Sequence, residues 1–175
     1  MRTGLRRYPR EMSRAMRTDN TIHDVHHNDQ MIRPMRATDC EELYNIALRS
    51  LNEIFLPEVF YGFFSQWQSG QFISCDFLGK PIGFICSTRL YDGGCRIMLF
   101  AMDTNVQGRG RGTELLNALI GQARMERIRY LTLEVRAENA RARSFYKRHG
   151  FIELETLPCY YSNGGDAVRM DLFLA

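Results

Sequence analysis

Apolar positions change period several times along the chain, and each change marks an element. Leu43, Ile46, Ala47 and Leu51 recur at helical spacing behind Thr38-x-x-Glu41, a capping box that opens a helix over about 38–50. Pro57 suits the first turn of a second helix, roughly 57–68, rich in Phe and Tyr. The period then shortens. Phe72–Leu78 and Ile82–Thr88 read as strands around a turn at Gly79-Lys80-Pro81, and Tyr91-Asp-Gly-Gly leads into a third strand, Arg96–Met102. Helical spacing returns over about 110–127, with Leu115, Leu116, Leu119, Ile120 and Ala123 on one face. Tyr130–Val135 is a strand, 137–148 a helix stopped by Gly150, and Phe151–Tyr161 with Ala167–Leu174 a closing hairpin about Asn163-Gly164-Gly165. Ile32-Arg33-Pro34 supplies a strand ahead of the first helix.

These elements predict an α/β (α+β) domain over 31–175: a mixed, mostly antiparallel central sheet of about seven strands flanked by about four helices. Residues 1–30 lack an apolar stripe and are expected to be an extension, with Met31 a conceivable start of the natural chain. His23, His26 and His27 there have the spacing of a metal site but lack further ligands, so no metal is expected.

Composition narrows the functional classes. A chain of 175 residues, 45% hydrophobic and 25% charged, has the balance of one globular domain. No apolar run approaches the ~20 residues of a membrane span, and no apolar stretch follows the basic start, so neither a membrane partner nor a secretory signal is expected. Five cysteines without CxxC spacing fit neither a disulfide framework nor a zinc site and suggest a reducing, cytoplasmic compartment. The net charge of +3 is too small for a dedicated nucleic-acid site. It is unevenly spread: 107–148 carry 10 basic and 4 acidic residues, 1–30 carry 6 and 4, and the remainder 7 and 12. A basic segment of this kind suggests an anionic ligand, and its arginines suit phosphate.

That segment contains Gln107-Gly108-Arg109-Gly110-Arg111-Gly112-Thr113, between a strand and an amphipathic helix. Unpaired N–H groups at a helix start favour anions, and glycines let the backbone approach a phosphate closely. A Walker A loop would need a Lys before Thr113. A Rossmann loop would need other glycine spacing and an early βαβ unit.

Gln107-x-x-Gly110-x-Gly112 matches [RQ]-x-x-G-x-[GA] and resembles the pyrophosphate loop of the GNAT N-acetyltransferases. Leu133-Glu134-Val135-Arg136-Ala137-x-Asn139-Ala140 and Ser144-Phe145-Tyr146-x-x-x-Gly150-Phe151 resemble the second half of that fold. Leu56-Pro57-Glu58 and Tyr160-Tyr161-x-Asn163-Gly164-Gly165-Asp166-Ala167 are similar to the branch that acetylates protein N-termini, including the ribosomal-protein alanine acetyltransferases.

The resemblance, over about 31–174, implies central strands that splay and acetyl-CoA as co-substrate. Phe100, Ala101 and Met102 would offer backbone groups to the pantetheine arm, Gln107 to Thr113 would cradle the pyrophosphate, and Asn139 and Tyr146 would line the other wall. Glu134 is the best candidate base and Tyr146 the general acid, with Glu58 contacting substrate or assisting proton removal. Leu56, Glu58, Tyr160 and Tyr161 would bind the acceptor, a protein N-terminus, with a ribosome or ribosomal protein as an implied further partner. Other readings stay open at this stage: a salt bridge rather than a base at Glu134, an ordered water as base, a helix cap at Asn139, a core role for Tyr146, lysine or a small amine as acceptor, and a CoA-binding module without turnover. Which N-terminus is used and the oligomeric state are not legible. Met102, Leu99 and Gly165 depart from the branch, which more often has a small aliphatic, a serine and an acidic residue there.

Overall fold

The computed structural model describes residues 32–51, 56–106 and 110–174. The extension at 1–30, with its histidines, lies outside them, as do Gln107, Gly108 and Arg109. The strands are β1 (Ile32–Pro34), β2 (Phe72–Cys75), β3 (Pro81–Arg89), β4 (Cys95–Met102), β5 (Tyr130–Arg136), β6 (Ile152–Leu157) and β7 (Ala167–Phe173). The helices are α1 (Cys40–Ser50), α2 (Glu58–Gln66), α3 (Arg111–Met125) and α4 (Ala140–Arg148). No helix among the described residues is long and apolar enough to cross a membrane.

The expected capping box is corrected by the first helix. A 3-10 turn at Ala37–Asp39 precedes α1; Asp39, in the N-cap position of α1, makes no side-chain hydrogen bond to that helix, and its Oδ2 reaches back to accept the Arg36 N–H at 2.7 Å. Both Asp39 oxygens also accept from Arg33 at 2.8 Å. A carboxylate fixed from two sides holds the turn more firmly than the Thr38 hydroxyl could. Leu43, Ile46 and Ala47 of α1 and all five positions read for α3 are buried, while Leu51 lies just past α1 in extended backbone and is half-buried.

The seven strands form one sheet in the order β1-β2-β3-β4-β5-β7-β6, antiparallel throughout except where β4 meets β5. β6 and β7 pair as expected, but β7 inserts beside β5 and leaves β6 at the edge. Alternation along each strand sends side chains to two cores. Phe84, Cys86 and Ala101 pack with α1 and α2, and Ile85, Ile97, Leu131 and Leu133 pack with α3.

β4 breaks its own alternation. The register passes from Ser87↔Ile97 to Cys86↔Leu99, so Met98 is an extra residue, a β-bulge. Before it Cys95 and Ile97 belong to the α3 core; after it Leu99 and Ala101 face α1 and α2, while Phe100 packs on the α3 side. Opposite the bulge, the buried Gln71 amide extends the ladder. It accepts the Ser87 N–H at 2.9 Å and donates to the Ser87, Trp67 and Phe63 carbonyls at 2.7, 2.7 and 3.2 Å. Gln71→Met strands these backbone groups without water, and is expected to lower the unfolding free energy in urea by about 2–4 kcal/mol. An unchanged midpoint and slope would show that the ladder closes without the amide.

Candidate active site

The parallel β4–β5 ladder is short. Its register contains Cys95↔Leu131 and Arg96↔Thr132 only, and beyond it residues of both strands line a cleft. One cavity, of about 450 Å³, is bounded by Arg96 to Phe100 of β4, Leu133 to Arg136 of β5, Val59 and Phe63 of α2, and Tyr160 and Tyr161 of the β6–β7 loop. A second, of about 610 Å³, is bounded by Phe100 to Met102, Val106, Gly110 to Thr113 and the inner face of α4. Phe100, Asn139, Ala142 and Tyr146 line both cavities, so a ligand in one meets a ligand in the other along this shared wall.

The second cavity has the make-up of an anion cradle. Gly110 precedes α3 with φ +79°, a left-handed conformation that favours glycine, and the space where its Cβ would stand is open. α3 then presents the unpaired N–H groups of a fifteen-residue helix. Arg111, Arg141 and Arg148 stand on the walls. The Arg111 guanidinium donates to the Cys75 carbonyl at 3.2 Å, while its buried Nε has no hydrogen-bond partner. A phosphate-bearing ligand fits this set. The Met102 departure is accommodated across the ladder: a Cβ at Gly83 would collide with the Met102 sulfur, so glycine leaves the room that the longer side chain fills.

On the shared wall, Asn139 caps α4, its Oδ1 accepting the Ala142 N–H at 2.9 Å. Tyr146 is 8% exposed and stands among Phe145, Phe151 and Phe100, with ring centroids 5.3, 5.4 and 6.4 Å away. Burial, with a smaller contribution from Tyr161, pushes its hydroxyl well above the ordinary tyrosine range. It therefore keeps its proton at neutral pH.

In the first cavity, Glu134 accepts from Arg96 through one oxygen: Oε2 lies 2.9 Å from Nε and 2.7 Å from Nη2. Arg96 Nη2 also donates to the Tyr160 hydroxyl oxygen at 2.6 Å. Tyr160 meets Tyr161 edge-on at 5.1 Å, and the Arg136 guanidinium lies 3.9 Å from the Tyr161 ring centroid. A Cβ at Gly165 would stand 3.1 Å from Arg136, so an acidic residue there would have faced that guanidinium.

Glu58, first residue of α2, is exposed, and Leu56 is 67% exposed; the inward face of α2 carries Val59, Phe60 and Phe63, of which Val59 and Phe63 line the cavity. Arg96 and Arg136 line the first cavity beside Glu134. Arg96 carries no signal in the sequence, because a lone basic residue on a strand gives none until register brings it beside its partner. Among the described residues no group of three or more His, Cys, Asp and Glu is suited to hold a metal ion.

A mixed seven-stranded sheet opened between two parallel strands, with a cationic cradle behind the opening and a tyrosine-lined cavity before it, has the architecture of an acyl-transferring enzyme. Residues 39–151 match the Acetyltransferase (GNAT) family, and the chain belongs to that family of acetyl-CoA-dependent N-acetyltransferases. It is 28% identical to N-alpha-acetyltransferase 30 of Schizosaccharomyces pombe over 139 residues, covering 76% of this chain and 91% of that protein. The crystal structure of Ard1 from Thermoplasma volcanium superposes with a TM-score of 0.80 at 30% identity, covering 84% of this chain and 99% of that one. The ribosomal-protein-S18-alanine N-acetyltransferase from Escherichia coli gives 0.74 at 27%, covering 83% and 94%.

Proposed function

We propose that this acetyltransferase uses the α-amino group of a protein N-terminus as acceptor, in the cytoplasm, by direct attack on the thioester. Acetyl-CoA, when bound, supplies the acetyl group as a thioester. Gly110 to Thr113, with Arg111, Arg141 and Arg148, would hold its phosphates, and Phe100 to Met102 its pantetheine arm. The observation that carries the reading is the shared wall: Glu134 and the tyrosine pair on the acceptor side, with Tyr146 reaching both cavities.

An α-amino group has a pKa of ~8, so its deprotonation near neutral pH is modest work. Glu134 lies on β5 where it lines the cavity, and its Oε1 has no hydrogen bond among the described residues. That oxygen would take the amine proton, directly or through a water. Tyr146, kept protonated by burial, would give its proton to the departing sulfur. Tyr160 and Tyr161 would close on the acceptor backbone, a mouth suited to a chain end. Names of the relatives support the alpha-amino choice. The five free cysteines, four of them buried, fit the proposed compartment.

The test is a panel of short peptides with acetyl-CoA, following thiol release. Peptides with free N-termini are expected to react, and N-blocked peptides bearing lysine are not. Reaction of the lysine peptides alone would move the acceptor to a side chain. Binding of CoA without transfer to any amine would make the chain a regulatory module.

A further inference from the structure

Arg96 belongs to no motif in the sequence, yet it touches both groups of the acceptor side. We propose that Arg96 is a positioning residue for acetyl transfer: one guanidinium aims Glu134 across the open end of the β4–β5 pair and holds Tyr160 at the cavity mouth. The proposal rests on the acetyl-transfer reading of this site.

Three observations carry it. Arg96 pairs with Thr132 in the last register position before the strands part, so the ladder fixes its backbone at the edge of the cleft. Its Nε and Nη2 converge on Glu134 Oε2, at 2.9 and 2.7 Å, and Oε1 keeps no hydrogen bond among the described residues. A planar fork gripping one oxygen sets the direction of the other, which a lysine ammonium, a point charge, does not do. Third, Nη2 also donates to the Tyr160 oxygen at 2.6 Å. The tyrosine hydroxyl proton is thereby left for an acceptor carbonyl. The hydrogen bond ties the β6–β7 loop to β4, which lies across β5 and β7 from the edge strand β6.

The charge of Arg96 has a second effect. A carboxylate alone in the cavity would favour an arriving amine as ammonium, which has no lone pair for attack. A guanidinium on that carboxylate offsets this bias and lets the neutral amine settle beside Oε1.

The test compares Arg96→Met, Arg96→Lys and Tyr160→Phe, using the amine that the wild type acetylates best. Arg96→Met is expected to lower kcat about thirtyfold, the scale of a small misplacement of a reacting group. It is expected to raise acceptor KM about tenfold, with acetyl-CoA Kd and Tm unchanged. Arg96→Lys, which keeps the charge and loses the fork, is expected to recover part of kcat and leave KM high. Amide hydrogen exchange over 159–165, measured without acceptor, is expected to quicken in all three variants. Wild-type kinetics and loop exchange in Arg96→Met would overturn the proposal. Equal losses in acetyl-CoA affinity and Tm would overturn it in favour of a scaffolding role. Should Arg96→Met fail to fold, unchanged loop exchange in Tyr160→Phe would be decisive against the clamp. Failure of every N-terminal peptide would remove the alpha-amino reading alone, because loop exchange and acetyl-CoA titration need no acceptor.

Discussion

Replacing Glu134 with glutamine is expected to lower kcat roughly a thousandfold while leaving acetyl-CoA affinity unchanged. The substitution is nearly isosteric, and its amide oxygen can still accept from Arg96 in place of Oε2. The outward atom changes from an oxygen that takes a proton to a group with little basicity. Loss of general base catalysis is worth about 10²–10⁴-fold. Single-turnover transfer and equilibrium binding of acetyl-CoA separate the two effects. A parallel fall in both would make Glu134 a structural partner of Arg96. A fall of only a few-fold would move the base to an ordered water or to Glu58, which would then have to approach from its exposed position on α2.

A carboxylate at Gly110 should weaken acetyl-CoA binding about a hundredfold. Two terms contribute, and asparagine separates them. Any side chain at φ +79° is strained, though Asn and Asp tolerate that region better than other residues. Gly110→Asn therefore carries the conformational cost and is expected to lose only a few-fold. Gly110→Asp adds a negative charge where Arg111 and the first N–H groups of α3 face the ligand. The difference should shrink as salt rises. Equal affinities for the aspartate variant and the wild type would remove Gly110 to Thr113 from the pyrophosphate site.

What the sequence discloses follows from the range of the interactions. Helix faces such as Leu115-Leu116-Leu119-Ile120-Ala123 depend on neighbours three and four residues away, and they bury as the period requires. The glycine loop also announces itself locally. By contrast, the Arg96–Tyr160 hydrogen bond joins residues 64 positions apart. Met98 reads as an ordinary strand residue, because a bulge is a property of the pairing between β3 and β4. The space for the Met102 side chain comes from Gly83, which only the β3–β4 register sets opposite it. The Leu56-Pro57-Glu58 motif is local, whereas the turn of α2 decides that Phe60 and Phe63 are the side chains it buries. At Thr38 the local signal gives way to a 3-10 turn, which Asp39 holds by accepting from Arg33 of β1 and from the Arg36 N–H.

The strand order has a temporal consequence. β7 follows both β5 and β6 along the chain, yet it lies between them in the sheet, joined to β5 on one side and β6 on the other. Until residues 167–173 emerge, β5 has an open edge and β6 has no neighbour in the sheet. Glu134 itself is paired with Arg169 across that lane. A nascent chain can therefore assemble β1 to β4 with α1 and α2 early, but β5, which carries Glu134 along the cleft, is paired on both sides only once β7 is in place. An intermediate that still lacks β7 leaves the β5 edge unpaired, an edge that invites pairing with other chains.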